Sequence, residues 1–341
     1  MRAIRSTWVA LAILAVTTAT AHAGSDNRLG TGGATELRIP VGARGVALAG
    51  SYLGTVTGAE AMFYNPAGLA GTDSPTEVLF SNTQYIADMK VNYFAVAQQM
   101  GGLGMVGFSV KVLSVGEIPF TTESAPDGTG EVFSPTFSTL GLTYARRMTD
   151  RVNFGGTLTY ISERVLQETA AGVAFDFGFQ YDPDYNGMRL GMAMKNFGPN
   201  SEFGGSDFER LQHVSGDDPQ ASGRSLSLGS AKFELPSSFQ FAVSYPIVHG
   251  PQGSFTIHGL YLNNSFAVDE GRIGAEYMYK KDFALRAGYK ITNNSDDLML
   301  FSYGVGLRAP LGGTSLWVDY AGQLVKNYFS DVQHVSVKFV F

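Results

Sequence analysis

The stretch GVAFDFGFQY, Gly172 to Tyr181, alternates without a break. Val173, Phe175, Phe177, Phe179 and Tyr181 fall on one face, and Ala174, Asp176, Gly178 and Gln180 on the other, which is the period-two signature of a strand. Phe239, Phe241, Val243, Tyr245 and Ile247 alternate in the same way with Ser238, Gln240, Ala242 and Ser244. So do Phe283, Leu285, Ala287 and Tyr289 with Ala284, Arg286, Gly288 and Lys290. One face is apolar and the other small or charged. A soluble sandwich alternates too, but its strands usually hold about 5 or 6 residues. These run nearer ten, the length a tilted strand needs to cross a bilayer. The pattern therefore predicts an all-β protein, a transmembrane antiparallel β-barrel.

Outward from that stretch, the same criterion yields about fourteen strands between Glu77 and Phe341, among them 152–163 and 172–181. Connections after odd-numbered strands are the longer ones, above all 114–137 and 198–236. Barrels of the outer membrane keep short turns on the periplasmic side, so both barrel termini are expected there, with the segment before strand one entering from that side. An even strand count lets the first and last strands pair and removes the edges that lipid would not tolerate.

The residues ahead of the strands divide in two. Arg2 and Arg5 precede an apolar run from Trp8 to Val16, and Ala21-His22-Ala23 offers a cleavage site, which makes 1–23 a signal peptide. The run is too short for a membrane helix. With no cysteine in the chain, a lipid-anchored lipoprotein and a disulfide framework are both excluded. Charged residues are 16% of the chain against a usual ~25%. The formal charge of −6 argues against a nucleic-acid partner.

Residues 24–76 then precede the barrel at 77–341, and their centre is RIPVGARGVALAGSYLGTVTGAEAMFYNPAGLAGTD, Arg38 to Asp73. Only Arg38, Arg44 and Glu60 carry charge before Asp73, and Gly and Ala dominate, so the segment is built for enclosure. Asn65 followed by Pro66 suits a helix start, with Asn as cap and Pro at the first position. Gly42-Ala43-Arg44, Ala59-Glu60-Ala61 and Asn65-Pro66-Ala67-Gly68-Leu69-Ala70 resemble the N-terminal hatch of FadL-like outer-membrane barrels, and within them the PorV/PorQ family. That resemblance implies fourteen strands around a hatch inside the lumen.

No catalytic or metal constellation is legible. The histidines at 22, 213, 249, 258 and 334 show no paired ligand spacing, and neither HExxH nor GxSxG occurs. The sequence thus points to no enzyme, no cofactor and no metal. Asp176, Arg189, Lys195, Arg272, Glu276, Arg286, Lys290 and Asp319 occupy polar strand faces and form a candidate lumen network of both signs. A selective ion pore more often shows one. The last strand ends QHVSVKFVF, whose Phe339 and Phe341 resemble the C-terminal signal for barrel assembly. The connection 114–137 carries Glu117, Glu123, Asp127 and Glu131 without a basic residue, an acidic outer surface.

Two functions follow from the resemblance, and the GAR motif, the Ala-Glu-Ala spacing and the terminal H-x-S strand favour the first, with the second as the alternative. The PorV/PorQ likeness implies a docking or shuttle component of type IX-like protein secretion, with secreted cargo or surface-attachment proteins as partners. The wider FadL likeness implies passive transport of long-chain fatty acids or other hydrophobic compounds, with a hydrophobic small molecule as partner. Both place the chain in the bacterial outer membrane among its lipids.

Overall fold

The computed structural model describes residues 28–212, 224–250, 252–295, 297–326 and 329–341. The signal peptide at 1–23 and His213 lie outside them.

Fourteen strands make the wall. In order they are β1 (Thr76–Gln84), β2 (Lys90–Gln99), β3 (Met105–Ser114), β4 (Thr136–Thr149), β5 (Val152–Val165), β6 (Glu168–Tyr181) and β7 (Arg189–Phe197). The second half is β8 (Ser238–Gly250), β9 (Gly253–Asn264), β10 (Glu270–Tyr279), β11 (Phe283–Thr292), β12 (Met299–Leu311), β13 (Thr314–Val325) and β14 (Val332–Val340). Each pairs antiparallel with its sequence neighbours, and β1 pairs with β14, Glu77 opposite Val340. The sheet is closed. Phe175, Phe177, Phe179 and Tyr181 on β6 point outward and are exposed, whereas Ala174, Asp176 and Gln180 point inward and are buried. Such an inside-out pattern is stable only where the surrounding solvent is itself apolar.

The connections correct one expectation. The long ones, 115–135 and 198–237, do leave the same mouth of the barrel, but β5 and β6 meet in the tight turn Leu166–Gln167, shorter than the 182–188 connection at the other mouth. The sequence reading ended β5 at Glu163 and began β6 at Gly172, because Arg164 to Thr169 break the alternation of apolar and small residues. Pairing nevertheless continues from Glu163–Ala170 to Val165–Glu168, because backbone hydrogen bonds extend the ladder whatever the side chains on its faces.

Inside the wall runs the hatch. Its helical turns are short: Thr35–Arg38, Gly58–Glu60 and Pro66–Gly71 are 3-10, and α1 (Ala43–Ala47) and α2 (Ala61–Tyr64) are single α turns. Asn65 caps the third 3-10 turn, its side chain accepting from the Ala67 N–H at 3.2 Å with Pro66 following. The expected helix start is there, in the tighter 3-10 form. Tyr52, Leu53, Leu48, Val56 and Leu69 are fully buried between hatch and wall.

The path of the hatch differs from the expected one. It joins β1 at the short-turn mouth, yet its first described residues lie at the opposite mouth, where Arg28 pairs with Glu234 at 2.6 Å and stacks on Phe266. The chain therefore crosses the lumen from one mouth to the other. Loop parity constrains only where strand one begins, so it could not reveal this. Wall glycines make the crossing possible, since a Cβ on Gly178 would strike Asn65 and one on Gly288 would strike Ala49.

Candidate functional site

The hatch is tied to the wall by backbone as well as charge. The Gly42 N–H donates to Ser81 Oγ at 3.1 Å and the Ala43 N–H to Ser336 Oγ at 3.2 Å, which anchors the start of α1 to β1 and β14. Gly42 is at φ 76°, the left-handed region that glycine enters without cost. Asn65 Nδ2 donates to both Leu53 O and Phe179 O at 3.0 Å, so one amide joins two parts of the hatch and β6. Ala67 and Gly68 pack beside it, and Gly68 has Val56 O where a side chain would go.

A largely buried ion network holds the middle of the hatch. Arg44 reaches Glu276 through two hydrogen bonds of 3.0 Å, a bidentate arrangement. Arg286 donates to the same Glu276 at 2.6 Å and to Asp319 at 2.5 Å. Lys338 Nζ donates to Glu60 Oε1 at 3.3 Å, and the Tyr52 hydroxyl to Glu60 Oε2 at 3.2 Å. The bases Arg44, Arg286 and Lys338 balance the acids Glu60, Glu276 and Asp319. Burial alone would push the Glu60 carboxyl up, but Lys338, Arg44 and Arg286 together hold it below the ordinary carboxylate value.

Above the network, toward the long connections, the lumen is hollow. A cavity of about 720 Å³ lies there, floored by hatch residues Glu36 to Pro40 and by Phe63, and walled by Leu113, Phe137, Glu163, Leu262 and Leu300 among others. A smaller void of about 40 Å³ continues from it past Phe63 to Lys111, Asp176 and Lys195. The Lys195 ammonium sits 3.9 Å from the centre of the Phe63 ring. Lys111 Nζ donates to Glu36 O at 2.7 Å and Ile39 O at 2.6 Å, fixing the hatch turn that forms the floor. At the rim, Arg272 pairs with Glu270 at 2.7 Å, Lys290 with Asp297 at 2.6 Å, and Arg38 with Glu270 at 3.8 Å.

The candidate lumen charges thus fall into three places. Glu276, Arg286 and Asp319 enter the network with Arg44; Lys195, Arg272 and Lys290 line the cavity, and Asp176 accepts from the Asn196 N–H beside it at 2.6 Å. Arg189 does not join them. It stands half-exposed at the short-turn mouth, paired with Asp182, because β7 only begins there. His334 is satisfied by Thr83 at 2.7 Å and Gln323 at 3.1 Å, and His258 meets Ser244 at 2.8 Å.

Several residues of this region are not among the sequence candidates, Glu36, Phe63, Lys111, Glu163 and Glu270 among them. Lys111 carries a signal, since it shares a strand parity with Ser109 and Leu113 and so points inward. Glu163 stands at the end of the strand the alternation predicts, and Glu36 and Phe63 belong to single helical turns too short to show a period.

No protein-family model matches the chain, and no curated protein does. Solved structures do. The chain is similar to the CymD monoaromatic hydrocarbon channel with a TM-score of 0.54 at 13% identity, covering 89% of this chain and 98% of that one. It is similar to the Pseudomonas putida toluene transporter TodX with a TM-score of 0.57 at 13% identity, covering 88% and 97%. A Pseudomonas aeruginosa FadL homologue gives 0.52 at 13%, covering 89% and 98%. What these likenesses share with the chain is the fold: a barrel of the FadL type.

Proposed function

We propose that this protein is a channel of the bacterial outer membrane for passive passage of hydrophobic small molecules, without enzymatic activity. The observation that carries it is the 720 Å³ cavity between hatch and wall at the long-connection mouth. The fold shared with a toluene transporter and a monoaromatic hydrocarbon channel supports the reading. In this orientation the long connections face outside, both barrel termini face the periplasm, and the cavity is the first compartment a solute meets. The exposed Phe341, stacked beside Phe339 at 6.5 Å, serves in this reading as the assembly signal. Uptake of labelled toluene and of a long-chain fatty acid by a deletion strain and its complemented counterpart tests the proposal. Equal uptake of both by the two strains would sink it.

The PorV/PorQ resemblance supports a second reading, docking of secreted cargo or surface-attachment proteins. Its support is the acidic connection at 115–135, where Ile118–Pro119 and Val132–Phe133 pair in a small outer hairpin with Ile118 and Val132 exposed. Affinity purification from native membranes separates the two. Secretion proteins recovered with no uptake defect would favour docking.

A further inference from the structure

Two carboxyl groups meet in the cavity, one from the hatch and one from the wall. Glu36 is 3% exposed and its Oε1 has no hydrogen-bond partner, although it lines the cavity. Glu163, on the wall, lines the same cavity and is 7% exposed. The ammonium nearest to them, Lys111, is already engaged by two carbonyl oxygens, and among the described residues no cation lies within 4 Å of either carboxyl. An unpaired buried carboxylate oxygen is costly, and proteins rarely leave one without a purpose.

The wall beside the pair is apolar in a defined way. Leu113 on β3 is opposite Phe137 on β4, and Phe137 is opposite Glu163 on β5, so the three side chains form one row on the lumen face. A single charge ends a row of greasy groups. That arrangement fits an amphiphile whose polar end donates hydrogen bonds and whose body lies along Phe137 and Leu113. The other charged candidate, Lys195, rests on the Phe63 ring, its ammonium 3.9 Å from the ring centre.

We infer that Glu36 and Glu163 form a binding site for the primary ammonium group of an alkyl or arylalkyl amine, held between hatch and wall. The inference rests on the transport reading of the same cavity. Because one carboxylate belongs to each part, bound amine bridges them, and the site reports the position of the hatch at that mouth.

The test uses the folded barrel in lipid nanodiscs and calorimetric titration with hexylammonium, hexyltrimethylammonium and hexanoate. Hexylammonium should bind about tenfold or more tightly than either comparator, since the trimethyl analogue keeps the charge but has no N–H and the carboxylate inverts the charge. Glu36→Gln and Glu163→Gln should each remove most of that preference while the barrel stays heat-modifiable. Hexanoate binding as tightly as hexylammonium overturns the site, as does hexylammonium affinity unchanged in both variants. Toluene entry into liposomes carrying the same protein is measured beside it. Toluene entry without an ammonium preference overturns the site and leaves transport standing; an ammonium preference without toluene entry does the reverse.

Discussion

Arg44 and Arg38 sit on the same hatch, and each pairs with a glutamate of β10, yet they belong to different worlds. Arg44 grips Glu276 through two bonds of 3.0 Å with its side chain 18% exposed; Arg38 meets Glu270 at 3.8 Å with its side chain 38% exposed. Around Arg44 the charges of the network are matched, and wall glycines let hatch and wall approach closely. Around Arg38 lies the cavity, with a carboxylate oxygen left over. The lower part of the lumen is finished as a protein core is finished, while the upper part is left incomplete in ways a ligand would complete. A densely bonded hatch segment and a cavity are thus stacked in one barrel.

The comparison breaks most severely if the hatch is not the plug. A barrel of about fourteen strands exceeds the eight that side chains can fill and approaches the porins that hold an aqueous channel. Removing residues 38–72 should convert a protein with little conductance in planar bilayers into steady ion channels. An intact protein that conducts like a porin, or a truncated barrel that folds and stays shut, would undo the distinction.

Next in size are substitutions in the ion network. The Arg286 side chain is 1% exposed between Glu276 and Asp319, so Arg286→Ala leaves Asp319 buried without its cation and should cost about 3–5 kcal/mol. Arg44→Ala removes a bidentate partner but leaves Glu276 with Arg286 and Glu60 with Lys338, so the loss should be smaller, about 2–3 kcal/mol. Urea unfolding midpoints of the barrel in lipid vesicles measure both. A reversed order would mean that the network is held from the hatch and not from the wall.

Acid should loosen the same region. The Glu60 carboxyl is held below its ordinary value of 4.5, so its attachment of hatch to wall is complete above that value and is lost as pH falls through the depressed one. Channel openings should therefore become more frequent on acidification below about 4.5, and Glu60→Gln should flatten that response. Openings that increase instead toward alkaline pH would place the controlling group elsewhere.

The barrel was legible because lipid imposes a strict alternation, and the GVAFDFGFQY stretch obeys it residue by residue. Glu276, Arg286 and Asp319 could be placed inward by the same parity. The hatch's enclosure was legible from its small residues, and Asn65 with Pro66 from capping chemistry. What the sequence hid is whatever depends on long-range position. Glu36 and Phe63 stand on turns with no period, Glu163 stands where pairing continues beyond the alternation, and the direction in which the hatch crosses the lumen is fixed by Arg28 against Phe266 and Glu234. Parity also promised Arg189 a place in the lumen, because a face can be read from spacing but depth along a strand cannot.

The smallest expected effect sharpens the opening contrast best. Arg38→Ala removes a half-exposed cation from a glutamate that keeps Arg272 at 2.7 Å, so no carboxylate is left bare. Exposed pairs contribute about 0.2–1 kcal/mol, and here the cost should fall at the low end because the partner's main interaction survives. The unfolding midpoint should barely move, and a double-mutant cycle with Glu270→Gln should return a coupling within that range. Toluene entry should respond more than stability does, because Arg38 lines the cavity and its removal widens it. A loss of stability as large as that of Arg44→Ala would show that the upper hatch is as firmly built as the lower, and the cavity would then be a by-product of packing.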